Sequence, residues 1–265
     1  MDRLERIMEL NGMLLEEMPQ YREEAAAVPE TIPAQRRLLR SLMNVRPAMP
    51  LKEKFLREQN VLLSEETLER GIVEAGELPT LREMGGGIVL WQGDITRLAA
   101  DAIVNAANSA LLGCFVPCHG CIDNAIHSAA GLELREACAR LMREQGHEEE
   151  TGSAKITPAY CLPSRYVLHT VGPIIAPGAA PTDEDAALLA SCYRSCLALA
   201  EEHHLKSIAF CCISTGEFRY PREEAAKIAI ETVYSWLKRT GSTMRVVFNV
   251  FKDEDLAVYR RLLGV

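Results

Sequence analysis

The sequence predicts an α/β protein: a three-layer α/β/α domain with a central mixed, largely parallel sheet, preceded by an α-helical N-terminal extension. Two patterns carry this prediction. From Ile88 onward, short apolar runs alternate largely with segments of helical periodicity, the order that builds a sheet covered by helices. Those runs are continuously apolar, as in strands buried on both faces. Up to about residue 84 the patterns are helical. The expected division is therefore a helical extension over residues 1–84 and the sheet domain over 85–265.

The first segment, MDRLERIMELNGMLLEEM, repeats apolar residues at Leu4, Ile7, Met8, Leu10, Leu14 and Leu15, a helical recurrence. AQRRLLRSLMNVR is a second helical pattern, closed by Pro47 and Pro50. LKEKFLREQNVLLSEETLERGIVEAG carries one or two more helices; Ser64 suits an N-cap, with Glu65 and Glu66 in the following turn. No catalytic constellation falls in this extension, which reads as a structural or interaction appendage. The glycines Gly85, Gly86 and Gly87 mark the boundary. GIVLWQ is the first strand candidate and ends at Gly93; a second apolar run, Ala102 to Val104, ends in polar Asn105. Ile122 to Met142 reads as one helix, with Ile122, Ile126, Ala130, Leu134, Cys138 and Leu141 close to one face. AKITPAY and YVLHTVG are strand candidates, and Asp183 to His204 is a helix with an Ala/Leu face. SIAFCCISTG is a buried strand running into a glycine-containing loop. Pro221 opens the helix Arg222 to Arg239. MRVVFNVF is the last strand, and DEDLAVYRRLLGV the terminal helix. In sheets of this kind ligands bind beyond the carboxyl ends of the strands. Gly93-Asp94, Asn105 to Asn108 and Ser214 to Phe218 all lie there.

Composition narrows the function classes. An apolar content of 48% and a charged content of 25% describe an ordinary globular chain. A net charge of −8 disfavours nucleic acid or an acidic membrane surface as partner, but leaves room for a nucleotide held by local groups. No apolar run reaches the roughly 18 residues of a membrane span, and MDRLERIMEL lacks the apolar core of a secretion signal, so a cytoplasmic location is expected. The nine cysteines are odd in number and unevenly spaced, which disfavours a disulfide framework. Cys138, Cys192, Cys196, Cys211 and Cys212 fall in helix or strand patterns, as small buried hydrophobes do.

The chemistry concentrates in Asp101–Gly131, DAIVNAANSALLGCFVPCHGCIDNAIHSAAG. Cys114, Cys118, His119 and Cys121 offer thiolates and an imidazole, a ligand set that suits zinc. All four would make a closed structural site. Cys114, His119 and Cys121 alone would leave the open fourth position used in catalysis, and adjacent Cys118 and His119 do not readily point at one ion. Asp123, at a helix start, is either a cap or a carboxylate that orients water or acts as a base. His127 lies one turn on, facing ligand or packing the helix. Asn105 and Asn108 flank a tight turn, and their amides can serve a sugar diol. Ser214, Thr215, Gly216, Glu217 and Phe218 precede a helix, where backbone N–H groups can cradle phosphate; the lysine of a Walker loop is missing. Asp94 can accept from the exocyclic amine of a base.

Together these segments resemble the macrodomain family, the ADP-ribose-binding fold. The matching stretches are GDIT at 93–96, VNAAN at 104–108, DNAIHSAAG at 123–131, HTVGP at 169–173 and ISTGEFRYP at 213–221. GCFVPCHGC replaces the glycine-rich loop of most members, and with the helical extension resembles a zinc-containing microbial branch of mono-ADP-ribosyl hydrolases, often encoded beside a sirtuin-type ADP-ribosyltransferase. The resemblance implies adenine contacts at Asp94, with the Ile95 backbone beside it, and stacking at Phe251. It implies a distal ribose facing Asn105 and Asn108, and a diphosphate wrapped by residues 214–218. It further implies Zn2+ on Cys114, His119 and Cys121, with Asp123 and Asn108 catalytic. The expected function is zinc-dependent removal of mono-ADP-ribose from protein side chains, most readily from Asp or Glu esters. A non-catalytic ADP-ribose reader would share every cleft residue except the metal loop and Asp123.

Overall fold

The first helix, α1 (Arg3–Glu17), begins with a capping box in which Asp2 accepts from the Glu5 N–H and Glu5 accepts from the Asp2 N–H. The computed structural model describes residues 1–81 and 87–265. Gly85, Gly86 and the division expected between 84 and 85 lie outside the described residues. The helices that follow are α2 (Arg22–Ala26), α3 (Ile32–Val45) and α4 (Glu53–Arg70). The extension builds its own core from Ile7, Leu10, Leu14, Leu39, Leu42, Phe55 and Leu62, and Leu132 joins it from the sheet domain.

Two local expectations for this region are corrected. Ser64 is exposed inside the single helix α4 and caps nothing, because the buried stripe Phe55, Gln59, Leu62, Leu63 and Thr67 runs past it; packing overrides a local capping preference. Beyond Arg70 the helical reading ends at Gly71, whose φ of 79° stops the helix. A strand, β1 (Val73–Glu74), follows, and its neighbour Ala75 is buried in the main core.

The remaining strands are β2 (Ile88–Gln92), β3 (Leu98–Ala99), β4 (Ala102–Ala107), β5 (Ala154–Pro158), β6 (Tyr166–Val171), β7 (Ser207–Phe210) and β8 (Arg245–Val250). β1 pairs in parallel with β3. The main sheet has the order β2-β8-β7-β4-β6-β5, parallel throughout except where β5 meets β6. The helices α5 (Ile122–Ala130) and α6 (Leu132–Gln145) pack together, with α5 against β4 and the extension; α7 (Asp183–Glu202), α8 (Arg222–Thr240) and α9 (Asp253–Leu263) form the other packed group. The expected mixed, mostly parallel sheet flanked by helices is thus the observed fold. Among the described residues no helix is long and apolar enough to cross a membrane.

The helix expected over 122–142 is two. Gly131 adopts φ 93°, which a side chain rarely tolerates, and a Cβ there would lie 2.6 Å from Gln59 Nε2. Gln59 Oε1 accepts from the Leu132 N–H at 2.9 Å, so a residue of the extension satisfies the first orphan donor of α6. The extension and the sheet domain are therefore joined by both packing and polar contacts. Truncating Leu10 to alanine at the centre of the extension core is expected to destabilise the protein by about 2–5 kcal/mol in urea denaturation.

Candidate active site

A cleft of about 650 Å³ opens at the carboxyl ends of the parallel strands, lined by residues that follow β2, β4, β7 and β8 together with the start of α5. It contains Asp94, Ile95, Asn108, Cys114, His119, Cys121, Asp123, Ser214, Thr215, Gly216, Glu217, Phe218 and Phe251. One predicted wall residue is absent. Asn105 is fully buried and does not line the cleft. Its amide instead donates to Asp123 Oδ1 at 2.8 Å. Its side chain is therefore held against Asp123 beneath the cleft lining.

At the far end, Asp94 caps its own turn, with Oδ1 accepting from the Thr96 N–H and hydroxyl at 2.9 and 2.7 Å. Arg70, at the end of α4, reaches Asp94 Oδ2 at 3.3 Å and Thr96 Oγ1 at 3.0 Å. Phe251 is exposed at the rim, where a planar group can stack on it. Arg222 and Asp255, paired at 3.1 Å, complete this side.

In the middle, Ser214 has φ 65° and buries an Oγ that has no partner. Gly172, in the loop after β6, makes room for it: a Cβ at that position would overlap Ser214 Oγ. The Tyr220 N–H closes the loop on Ser214 O at 2.9 Å just before α8 begins. A buried hydroxyl and a tight loop ahead of a helix favour an anionic oxygen.

At the near end, one donor atom each from Cys114, His119 and Cys121 lies within 4.8 Å of the others. His119 Nδ1 is buried without a partner, while its Nε2 lies 3.7 Å from Glu217 Oε1 across the cleft. Burial pushes the Cys121 thiol up to about 12, so its thiolate needs an adjacent cation. Two soft sulfurs and an imidazole suit zinc and leave a coordination position open. Cys118 takes no part in this group. Its φ of 50° turns Sγ to Ser41 Oγ at 3.3 Å and Arg37 O at 3.6 Å.

Asp123 stands beside this triad and caps nothing; Cys121 is the N-cap of α5. Burial pushes the Asp123 carboxyl up to about 6, against the Asn105 hydrogen bond and the positive charge of Arg135. Asn108 Nδ2 is 3.4 Å from Asp123 Oδ2. His127 Nε2 lies 3.5 Å from Asp123 Oδ1, but burial, helped by His169 and Arg135, holds the imidazole pKa well below its ordinary value. His127 thus faces Asp123 as a neutral packing group, not as an ion-pair partner.

The extension positions the whole loop. Arg40 on α3 donates to His119 O at 3.1 Å and Asn124 Oδ1 at 2.7 Å. Asn44 accepts from the Cys118 N–H at 2.8 Å and donates to Ser128 at 3.0 Å. Arg135 donates to Leu112 O and to three carbonyls of residues 43–46. Sequence reasoning missed Arg40 and Asn44 by treating the extension as an appendage, and Arg135 because its partners lie in that extension. The one available signal was Arg135 at helical spacing between Leu132 and Ala139, a charge on a buried stripe.

Residues 104–229 match the Macro domain family. A protein-ADP-ribose hydrolase from Treponema medium is 52% identical over 265 residues, covering 100% of both chains. One of the same name from Staphylococcus aureus strain MSSA476 is 50% identical over 224 residues, 84% of this chain and 82% of its own. A probable bifunctional ADP-ribose hydrolase/ADP-ribosyltransferase from Fusarium oxysporum f. sp. cubense is 43% identical over 242 residues, 86% of this chain but 40% of its own. The Trypanosoma brucei macrodomain solved with ADP-ribose superposes with a TM-score of 0.65 at 32% identity, covering 84% of this chain and 95% of that one. The Oceanobacillus iheyensis macrodomain with ADP gives 0.61 at 39%, covering 68% and 92%.

The brace on the loop has a measurable consequence. Asn44→Ala removes the acceptor of the Cys118 N–H, so amide hydrogen exchange at Cys118 is expected to accelerate while amides of β4 and β8 stay protected. Global stability should fall by about 1–3 kcal/mol.

Proposed function

The chain belongs to the macrodomain family, and on that footing we propose that it is a zinc-dependent hydrolase that removes mono-ADP-ribose from modified protein side chains. The observation that carries this reading is the convergence, at one end of the cleft, of a buried carboxylate and the Cys114–His119–Cys121 donor set. A reader that only holds ADP-ribose needs neither. The names of the Treponema and Staphylococcus relatives support the hydrolytic activity. The name of the Fusarium relative pairs a hydrolase with an ADP-ribosyltransferase, in keeping with a proposed sirtuin-type transferase partner in the cytoplasm.

In this reading the ligand spans the cleft. Asp94 accepts from adenine, the Ile95 backbone lies beside it, and Phe251 stacks on the ring. The Ser214–Phe218 loop holds the diphosphate, and its distance from the reacting bond lets binding there orient the distal ribose. Asn108 meets that ribose beside Asp123. Cys114, His119 and Cys121 hold the zinc, which when bound supplies Lewis-acid stabilisation of developing negative charge. Asp123 aligns the attacking water and takes its proton. The water oxygen bonds to the ribose carbon, the bond from that carbon to the protein carboxylate oxygen breaks, and the carboxylate leaves with the electron pair. An Asp or Glu ester is the favoured linkage because a carboxylate leaves without being protonated.

Two outcomes follow for the intact protein. Cys121→Ala and His119→Ala are expected to lose bound zinc, read by elemental analysis, and release of ADP-ribose from an Asp- or Glu-modified protein together; release undiminished in metal-free protein would remove zinc from the reading. Asp123→Ala is expected to lower kcat by about 10²- to 10⁴-fold while ADP-ribose affinity, measured by calorimetry, changes little. Tight ADP-ribose binding by the unaltered protein with no release of label would establish the reader instead.

A further inference from the structure

Behind Asp123, outside the cleft, lies a buried polar chain that the reading above does not use. Asn105 on β4 and His169 on β6 are register partners, and both are 0% exposed. Asn105 Nδ2 stands 2.8 Å from Asp123 Oδ1 and 3.2 Å from His169 Nδ1. On its other side, His169 Nε2 lies 3.0 Å from Thr157 Oγ1 on β5 and 3.6 Å from Cys138 Sγ on α6.

These groups constrain one another. The amide nitrogen of Asn105 faces Asp123 Oδ1, a carboxylate oxygen that accepts its hydrogen. Its second hydrogen then meets His169 Nδ1, which must be the acceptor, and the ring proton sits on Nε2, facing the Thr157 hydroxyl. An Nδ1–H ring would set donor against donor. Turning the amide over would set its oxygen against the carboxylate. Burial supports the neutral ring by pushing the His169 pKa down to about 4.

We propose that His169 is a positioning residue for Asp123, acting through the amide of Asn105. Its acceptor nitrogen selects the amide orientation, and the amide fixes the carboxylate rotamer at the cleft. The kinetic consequence rests on the hydrolase reading; the tautomer does not.

The same region offers a rival. His127, Cys138 and His169 bring donor atoms within 4.8 Å of one another, as a second metal would need. Against a metal, burial pushes the Cys138 thiol up to about 12, Arg135 places a positive charge close by, and His169 Nε2 already faces Thr157. The hydrogen-bonded arrangement accounts for both nitrogens of His169 without an ion.

The test uses the whole 265-residue chain as purified, with its metal content measured. Nitrogen-15 NMR of the imidazoles is expected to show His169 as the Nε2–H tautomer; the Nδ1–H tautomer overturns the proposal. His169→Phe keeps the ring volume and removes both nitrogens, and is expected to lower kcat about 10- to 100-fold, with KM and ADP-ribose affinity held within about twofold. His169→Asn returns an oxygen near the place of Nδ1 and is expected to recover part of that loss. An unaltered kcat in His169→Phe, or equal losses in both variants tracking a fall in melting temperature, overturns the positioning role. So does the loss of a second equivalent of bound metal in His169→Phe. If the unaltered protein releases no ADP-ribose, the hydrolase reading fails and the tautomer alone decides this proposal; the tautomer also decides it if His169→Phe does not fold.

Discussion

A single buried guanidinium ties the active site to the rest of the molecule. Arg135 on α6 is 2% exposed. It donates to the carbonyls of Met43, Asn44 and Arg46, where α3 ends, and to Leu112 O, where the metal-competent loop begins. Its guanidinium also lies 4.3 Å over the Phe115 ring. The carbonyls at a helix C-terminus carry partial negative charge and lack intrahelical donors, so a cation placed there answers both deficits. Taking a charge so far from water is tolerated only when its hydrogen bonds are met, and here they are met by both halves of the chain.

The consequence is that the loop between β4 and α5 is not free to choose its shape. Arg135 holds its start, Asn44 holds Cys118, and Arg40 holds His119 and Asn124. The three donor atoms of Cys114, His119 and Cys121 meet because α3 lies against the loop. Below them the sheet sets Asp123 through Asn105. The near end of the cleft is thus fixed from two sides, by the extension and by the strands. At the far end of the cleft the extension returns, with Arg70 of α4 bonded to Asp94.

Most of the fold was legible because long apolar runs and helical periods are local signals. Alternation from Ile88 onward and the continuous apolar strands led directly to the parallel sheet, and the cleft falls at the strand ends where the polar residues cluster. The misreadings have physical causes. One helix was expected over 122–142 because its apolar face is continuous in projection; Gly131 breaks it with a backbone angle that no periodicity reports. Ser64 looks like a cap locally, but tertiary packing carries α4 past it. Asn105 sits at a strand end in a polar motif, and only the folded structure shows that its amide meets Asp123.

Sequence by itself determined the sheet domain, the helical character of the extension, and the candidates for the site: three cysteines and a histidine, a carboxylate at a helix start, a small-residue loop before another helix. Those are properties of residue type and spacing. Tertiary structure alone decided which donors meet. Cys118 is separated from Cys114 and Cys121 by its positive φ and its contacts with α3. His169 and Asn105 become neighbours through strand register across more than sixty residues of chain. The extension became part of the site because the carbonyls at the end of α3 and the start of the loop share one arginine. Such contacts join residues far apart in the chain, and no local pattern encodes them.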